Sequence, residues 1–521
     1  MKRYLYFTLT LIFLTLWSSC RKDFEFTPST GSLEFSRDTI YLDTVFSNIG
    51  SSTYNLKVYN RSDEDIVIPS LKLGLGETSS YRLSVDGMPG KVFENVEIQA
   101  KDSMYIFVET TIDFNNFSNP DGTYLYTDQI EFDANANLQK VELVTLVQDA
   151  IFIYPNRNNT TKVLETLILN VGGQYTGTNI QGRELLEDEL HFTNQKPYVI
   201  YGFAAVPVGK TLTIDAGARL HFHKNSGLIV SNAASLHING AYSNDQELLE
   251  NEVILEGDRL ESNFANTPGQ WGTIWLVEGS YDNIINYATI KNATVGILSD
   301  GNPHAENNKL NISNTQIYNS SAFGILGRRT SIAGNNVVIN NTGQSSFAGT
   351  FGGKYNFTHS TIANYWNNSF RQFPSVLLNN FILDDNNNAT LSSLIEANFN
   401  NCIIYGNDNP EILLDELEDD AVDFNFKFTN SLIRFDNTNT NLTGANYDLT
   451  NTTHYQGNLF NEDPNFLDTQ LNKFNIGEES AAINQGLATF ASQVPLDILN
   501  KNRTSTPDLG AYQHIIFPED D

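Results

Sequence analysis

The sequence predicts an all-β chain built as a β-sandwich followed by a parallel β-helix. Three observations carry that expectation. Short apolar stretches alternate with polar residues, as in "TLTIDAGARLHFHKNSGLIV" (residues 211 to 230), and a period of two marks half-buried strands. The Asn-Gly and Asp-Gly pairs that close hairpins are missing between those stretches. Past residue 270 an Ile-x-Asn element recurs at Ile290, Ile317, Ile339 and Ile362, at intervals of 27, 22 and 23 residues. Charged residues make up only 18% of the chain, which suits strands and turns better than surface helices.

A chain of 521 residues is too long for one ordinary core, so two or three domains or a repeat array are expected. Its 61 acidic residues against 31 Lys and Arg argue against nucleic acid and anionic headgroups as direct partners. A cationic ligand or calcium is compatible with this charge, and solubility accounts for it equally well.

Residues 1–20 read as a signal peptide. Lys2 and Arg3 precede an apolar stretch from Leu5 to Trp17 that is short for a membrane span. Ser18-Ser19-Cys20 resembles the lipobox of bacterial lipoproteins, with Trp17 where Leu is usual. The resemblance implies a lipid on Cys20 and attachment to the membrane through that anchor; the alternative is an ordinary signal peptide with a chance cysteine. Arg21-Lys22-Asp23-Phe24-Glu25 opens a tether (21–31) and resembles the signal that sends some Gram-negative lipoproteins to the outer face of the outer membrane. The expected address is the outer membrane, at the cell surface; a plain charged tether facing the periplasm is the alternative. With Cys20 modified, Cys402 is the remaining thiol, so no intrachain disulfide is expected. Its setting, "FNNCIIYG", reads as a buried strand.

Residues 32–150 read as strands split by turns: "SLEFS", "YNLKVYN", "DIVIPSLKL", "SMYIFVETTI", "DQIEFDAN" and "KVELVTLVQ". Their order resembles the immunoglobulin-like modules of bacterial envelope proteins, an architectural likeness without a cysteine pair, which implies a spacer or adhesive unit. Residues 151–198 read as a connecting segment, in which "TKVLETLILNV" is strand-like and "QGRELLEDELHF" is a helical turn or a loop.

The repeat is placed at 199–515. A second apolar series, Ile297, Ile325, Phe347 and Phe370, keeps step with the first at intervals of 28, 22 and 23. Two strands per unit therefore shift together when a unit lengthens. Phe357, Phe399 and Phe428 each precede an isoleucine (Ile362, Ile404, Ile433) by five residues, and the long gap between Ile362 and Ile404 reads as an insertion. Units of 20 to 30 residues with two or three short strands are the signature of a parallel β-helix, whose strands pair with their equivalents in the next coil about 4.8 Å away. Asn at a constant bend position forms a ladder of amides and tolerates the left-handed backbone.

"KPYVIYGFAAVPVGKTLTIDAGARLHFHKNSGLIVSNAASLHINGA" with "GQWGTIWL" resembles right-handed β-helix lipoproteins of the Gram-negative envelope. The close of the chain resembles that of many secreted β-helix proteins, in Glu462-Asp463-Pro464-Asn465-Phe466, "SAAINQG", Arg503 and Pro507-Asp508-Leu509-Gly510-Ala511-Tyr512-Gln513. Ala481, Asn484 and Gln513 depart from the usual Pro, Asp and Glu. The likeness implies a right-handed parallel β-helix with a C-terminal cap. It does not imply an activity, because the fold hosts lyases, hydrolases, adhesins and inert scaffolds.

Motifs for serine hydrolases, zincins, P-loops and EF-hands are absent, as are the G-H-G and R-I-K elements of polygalacturonase-type hydrolases. A polysaccharide lyase needs a base and a cation beside a carboxylate. The candidate catalytic residues for that reading are Lys354, His359 and Arg371, and the candidate sugar-stacking rings are Tyr365 and Trp366, one of which should point outward. The register places Asp300, Arg328, Thr350 and Phe373 in one column, which is no consistent catalytic row. His221 and His223 share a strand face while His237 belongs to another sheet, so a solvated face is expected and no metal site. Asp384-Asp385 reads as a loop tip. The acid run Asp415 to Asp420 reads as a solvated loop; weak calcium binding is its alternative, and no other cofactor is expected. The expected role is binding or scaffolding at the cell surface, with a glycan as ligand; the rival is a polysaccharide lyase or glycoside hydrolase.

Overall fold

A computed structural model describes residues 25–116, 123–171, 174–301, 303–304, 306–436, 438 and 442–518. The signal segment and Cys20 lie outside the described residues. Strand makes up 49% of the chain and helix 4%, so the protein is all-β. Among the described residues no helix is long and apolar enough to cross a membrane. The chain divides into two compact units between Asp149 and Ala150.

The first unit consists of two sheets around one core. One runs Thr27–Pro28, Ile66–Leu73, Thr123–Phe132, Gln139–Gln148, Thr39–Phe46, with Val92–Ile98 also on Ile66–Leu73. The other runs Glu34–Phe35, Tyr54–Tyr59, Ser103–Thr110, Tyr81–Val85, Met88–Gly90. Alternation dictates which side chains meet: Leu56, Val58, Ile106 and Val108 from one sheet share a core with Ile68, Leu71, Ile130 and Leu143 from the other. The six strand stretches read from the sequence are all present. Thr39–Phe46, Tyr81–Val85 and Val92–Ile98 were not anticipated.

In the second unit each strand from Gln174–Glu184 to Asn283–Asn286 pairs in parallel with the third one after it, and parallel pairing continues beyond them. Thr211–Asp215 pairs with Ser235–Asn239, Arg219–Phe222 with Val253–Gly257, and Gly227–Val230 with Ile274–Leu276. This is why the opening stretch lacks hairpin turns. The pattern starts earlier than residue 199. Ile151–Ile153 pairs with Tyr198–Ile200, and Gln174–Glu184 pairs with Phe203–Val206. An antiparallel hairpin, Thr166–Val171 with Gln174–Glu184, interrupts that first turn of chain.

Like residues stack from unit to unit. Leu220, Leu255, Ile290, Ile317, Ile339, Ile362, Ile404 and Ile433 are consecutive partners. All are fully buried. A second column runs Ile274, Ile297, Ile325, Phe347, Val376, Ile412. It corrects the sequence register: Phe370 is 88% exposed, and Val376 takes the place expected for it. Phe373 likewise precedes the strand Val376–Asn379 and is not the partner of Thr350. A third column stacks Phe357, Phe399, Phe428 and Tyr455, with rings 5.6, 5.0 and 5.6 Å apart and interplanar angles of 13° or less. Gly334 heads this stack, and a Cβ there would lie 2.5 Å from the Phe357 ring.

Two corners flank the isoleucine strands. Asn292, Asn319 and Asn341 have φ of +68°, +57° and +54°. Their amides join in a ladder, Asn341 Nδ2 donating to Asn319 Oδ1 at 2.7 Å and Asn319 Nδ2 to Asn292 Oδ1 at 3.4 Å. The other corner lies three residues before each isoleucine, at Tyr287, Asn314, Asn336, His359, Asn401 and Asn430, with φ between +43° and +53°. A left-handed residue costs most side chains about 1–2 kcal/mol, and Asn least among those with a Cβ.

The closing segment, 463–518, was expected as a terminal cap. It lies along the outer face of the isoleucine strands. Phe474, Ile498, Ala511 and Tyr512 pack on Tyr318, Val338 and Ala363; Ile476, Ala482 and Leu509 pack on Ile403, Tyr405 and Leu432.

The corrected register makes a sharp contrast. Ile339→Asp should bury an unpaired charge and lower stability by several kcal/mol, about 2–7. Phe370→Asp should leave the thermal midpoint unchanged, because that ring is in solvent. Equal effects in a thermal melt would contradict the register.

Candidate functional site

The candidate residues between 354 and 371 all engage partners within the protein. Lys354 lies on the strand Phe347–Thr358, with its Nζ 4.0 Å from the carboxylate of Glu396 on the paired strand. Both are about a third exposed, so the pair contributes about 0–1 kcal/mol. Arg371 belongs to the loop before Val376–Asn379, and its side chain is 2% exposed. Its two terminal nitrogens donate to the Glu411 carboxylate at 2.8 and 2.6 Å, and Nη2 also reaches Asn407 Oδ1 at 3.1 Å. Glu411 accepts in addition from the Ser375 N–H and Oγ, both at 2.8 Å. Burial holds the Glu411 carboxyl above its usual range in spite of Arg371 and Ser375. Arg371 is thus a clamp that seats loop 365–375 on the turn 407–411.

The two rings are not a platform. Trp366 is 7% exposed, and its Nε1 donates to Ser369 Oγ at 3.0 Å. Tyr365 is half-buried and edge-on to Phe466, at 6.3 Å, and also adjoins Phe474. Both phenylalanines belong to the closing segment, which the strand pattern of the repeat does not announce.

His359 is a corner residue, fully buried, with φ +49°. Its Nε2 accepts from Asn401 Nδ2 at 2.9 Å, so the ring is neutral there. Burial drives its pKa well below 6.5, and the neighbouring Arg503 adds to this. His359 sits on a seam. Asn401 exchanges hydrogen bonds with both backbone groups of Leu487, Asn336 Nδ2 donates to Leu496 O, and Asn430 Nδ2 donates to Gln485 O. From the other side the fully buried Arg503 donates to Gly510 O, Ala511 O and Asn336 Oδ1. Gln513 accepts from the Asp508 N–H at 2.9 Å and donates to Thr506 O, so its amide spans this turn. The sequence signal for the corner was available: Asn recurs three residues before the isoleucine, and His359 occupies an asparagine position.

One other charged group went unanticipated. Lys309 is 1% exposed; its Nζ donates to the carbonyls of Leu276, Val277 and Asp300. Burial lowers its pKa to about 7, opposed by Asp300 and Glu278. The Asp300 carboxylate is held by Arg328 at 2.6 Å and by Trp275 Nε1 at 2.7 Å. A lysine near neutrality has the proton affinity of a base, but three carbonyls enclose this one. His221, expected on a solvated face, is 5% exposed and lies 3.6 Å from Glu256, which Lys291 pairs at 2.7 Å. His223 and His237 pair separately with Asp258 and Asp282. Among the described residues no group of three or more His, Cys, Asp or Glu could hold a metal ion. Asp384 accepts from the N–H groups of Asn386 and Asn388 at the tip of an antiparallel hairpin, Phe381–Leu383 with Ala389–Leu391.

A hollow of about 240 Å³ is lined by Phe152, Tyr154, Asn156, Arg183 and Leu186. That is below the usual size of a small-molecule site, about 300–1,000 Å³. Its arginine is held by both oxygens of Glu189 at 2.6 Å.

No family model matches this chain, and no curated protein does. Among solved structures it is similar to a family 123 glycoside hydrolase from Clostridium perfringens, at 11% identity and a TM-score of 0.16, over 23% of this chain and 26% of that one. It is also similar to the E. coli chaperone DraB, at 15% identity and a TM-score of 0.16, over 24% of this chain and 58% of that one.

Two predictions follow the geometry. Arg371→Met should strand the buried Glu411 and cost about 3–5 kcal/mol, whereas Arg371→Met with Glu411→Leu should recover most of it. Denaturant midpoints of the single and double variants measure the coupling. For His359 the folded pKa lies below the unfolded value, so the unfolded chain binds the extra proton first. Its contribution is fully present above about pH 6.5 and is lost as pH falls below that value. His359→Asn should therefore lose less stability than the parent protein between pH 7.5 and 5, in matched unfolding curves.

Proposed function

We propose that this chain is a lipid-anchored protein of the outer membrane, exposed at the cell surface, that binds a glycan or serves as a scaffold for it. In this reading the first unit is an immunoglobulin-like β-sandwich, and the second is a right-handed parallel β-helix. The anchor is the lipid on Cys20. The reading invokes no cofactor.

The observation that carries it is the employment of the reactive side chains. Lys354, His359 and Arg371 are each engaged within the protein, by a carboxylate of the neighbouring strand, a corner amide and a buried glutamate. Transfer of a proton from a sugar needs a base within hydrogen-bond reach of it. Arg371 and His359, committed to a buried carboxylate and a corner amide, do not supply one, and Lys354 stands alone without them. The stacked columns of parallel strands support this reading, since they repeat one surface along the second unit.

Two measurements test the proposal. Cys20→Ala should release the protein from membranes, while the parent protein on intact cells should be shaved by added protease. Continued membrane association of Cys20→Ala would remove the anchor from the reading. On a panel of acidic and neutral polysaccharides, retention without release of unsaturated or reducing ends is expected. Product formation would put a lyase or hydrolase in its place.

A further inference from the structure

The first unit carries an exposed aromatic surface that the function proposed above has not used. On the strand Ser103–Thr110, Tyr105 and Phe107 project from the same face, opposite the side that packs Ile106 and Val108 into the core. They are 49% and 42% exposed. Their rings are 6.3 Å apart with planes within 19° of parallel, so the two side chains line up as one strip along the strand. The neighbouring strand Tyr54–Tyr59 places Lys57 directly beside Tyr105 and Asn55 beside Phe107. Ser84 borders Phe107 on the far side.

The charges on this face are not alike. Arg61 stacks over Tyr59 at 4.1 Å and is paired with Glu34 at 2.7 Å. Arg82 is 3.6 Å from Glu109. Lys57 makes no ion pair among the described residues; its Nζ lies between the rings of Tyr59 and Tyr105, at 5.2 and 5.3 Å. The Lys57 ammonium is thus framed by two rings rather than by a carboxylate. Its position is complementary to an anion seated on the strip.

We propose that this face binds an acidic polysaccharide, with Lys57 supplying the local cation that the chain's overall acidity otherwise denies such a ligand. The apolar faces of neighbouring sugar rings lie on Tyr105 and Phe107, the carboxylate of a uronate pairs with Lys57, and Asn55 and Ser84 meet the hydroxyls at the rim. Rings with a flat apolar body suit the C–H face of a pyranose, and a cation already held over aromatic rings loses little freedom on binding. The inference rests on the glycan-binding reading above and names both its ligand class and its place.

The test is affinity electrophoresis of the full chain in gels containing polygalacturonate or its neutral methyl ester, with thermal melts to verify folding. The parent protein should be retarded by polygalacturonate. Tyr105→Ala and Phe107→Ala should each weaken retardation about tenfold in either gel. Lys57→Gln should weaken it about fivefold in polygalacturonate alone, and Lys57→Arg should restore it. Retardation that survives all three substitutions would overturn the strip as the site while leaving glycan binding in place. Absence of retardation across every polysaccharide tried would overturn both. Concentration-dependent dimers abolished by Tyr105→Ala would overturn the proposal by giving the face to a second copy of the chain.

Discussion

The second unit depends on a single backbone constraint: at each corner the chain must change direction without reversing. A hairpin turn would return the strand antiparallel to its neighbour. One residue in the left-handed region bends the path and lets the next strand continue parallel to its predecessor. The six residues at one corner, from Tyr287 to Asn430, all adopt that conformation. Because the same corner recurs, side chains that tolerate it are stacked, and their amides join unit to unit. Local backbone preference thus becomes long-range order, which then holds the isoleucine column and the aromatic stack in register.

The inside of the winding is solved by repetition, but its outside is not. Val338, Ile403 and Leu432 face outward and would be wet without the closing segment. Irregular chain laid on a sheet brings carbonyls that need donors, and long cationic side chains meet that need at several points at once. Arg503 serves two carbonyls of the closing segment and an asparagine oxygen. The same residue types that suggest catalysis in a sequence are here the fasteners of irregular segments.

Much of the winding was legible because its signal is periodic. Ile290 through Ile362 and the Phe357, Phe399, Phe428 series pair as their spacing implied. The reading failed at Phe370, where spacing was carried through an inserted loop and a count of residues no longer measured a turn of chain. It failed at His359, whose chemistry drew more notice than its position three before Ile362. It failed for Tyr365 and Trp366 because what covers a residue depends on distant segments. Tyr365 meets Phe466 and Phe474 about a hundred residues later, and no period connects them. In the first unit the strand in SMYIFVETTI was legible, but the exposed pairing of Tyr105 and Phe107 on it and the surroundings of Lys57 were not. That depends on where every nearby carboxylate ends up.

The seam has a consequence in time. Tyr287 bonds to Asn500, Thr361 to Ala511 and Gln316 to Tyr512, so groups already placed must wait for partners made last. A chain that emerges from its N-terminus can stack its isoleucines as each unit appears, yet the outward faces of Val338, Ile403 and Leu432 stay uncovered until the final stretch arrives. The stacking joins each unit to the next, whereas the fastening spans six units at once.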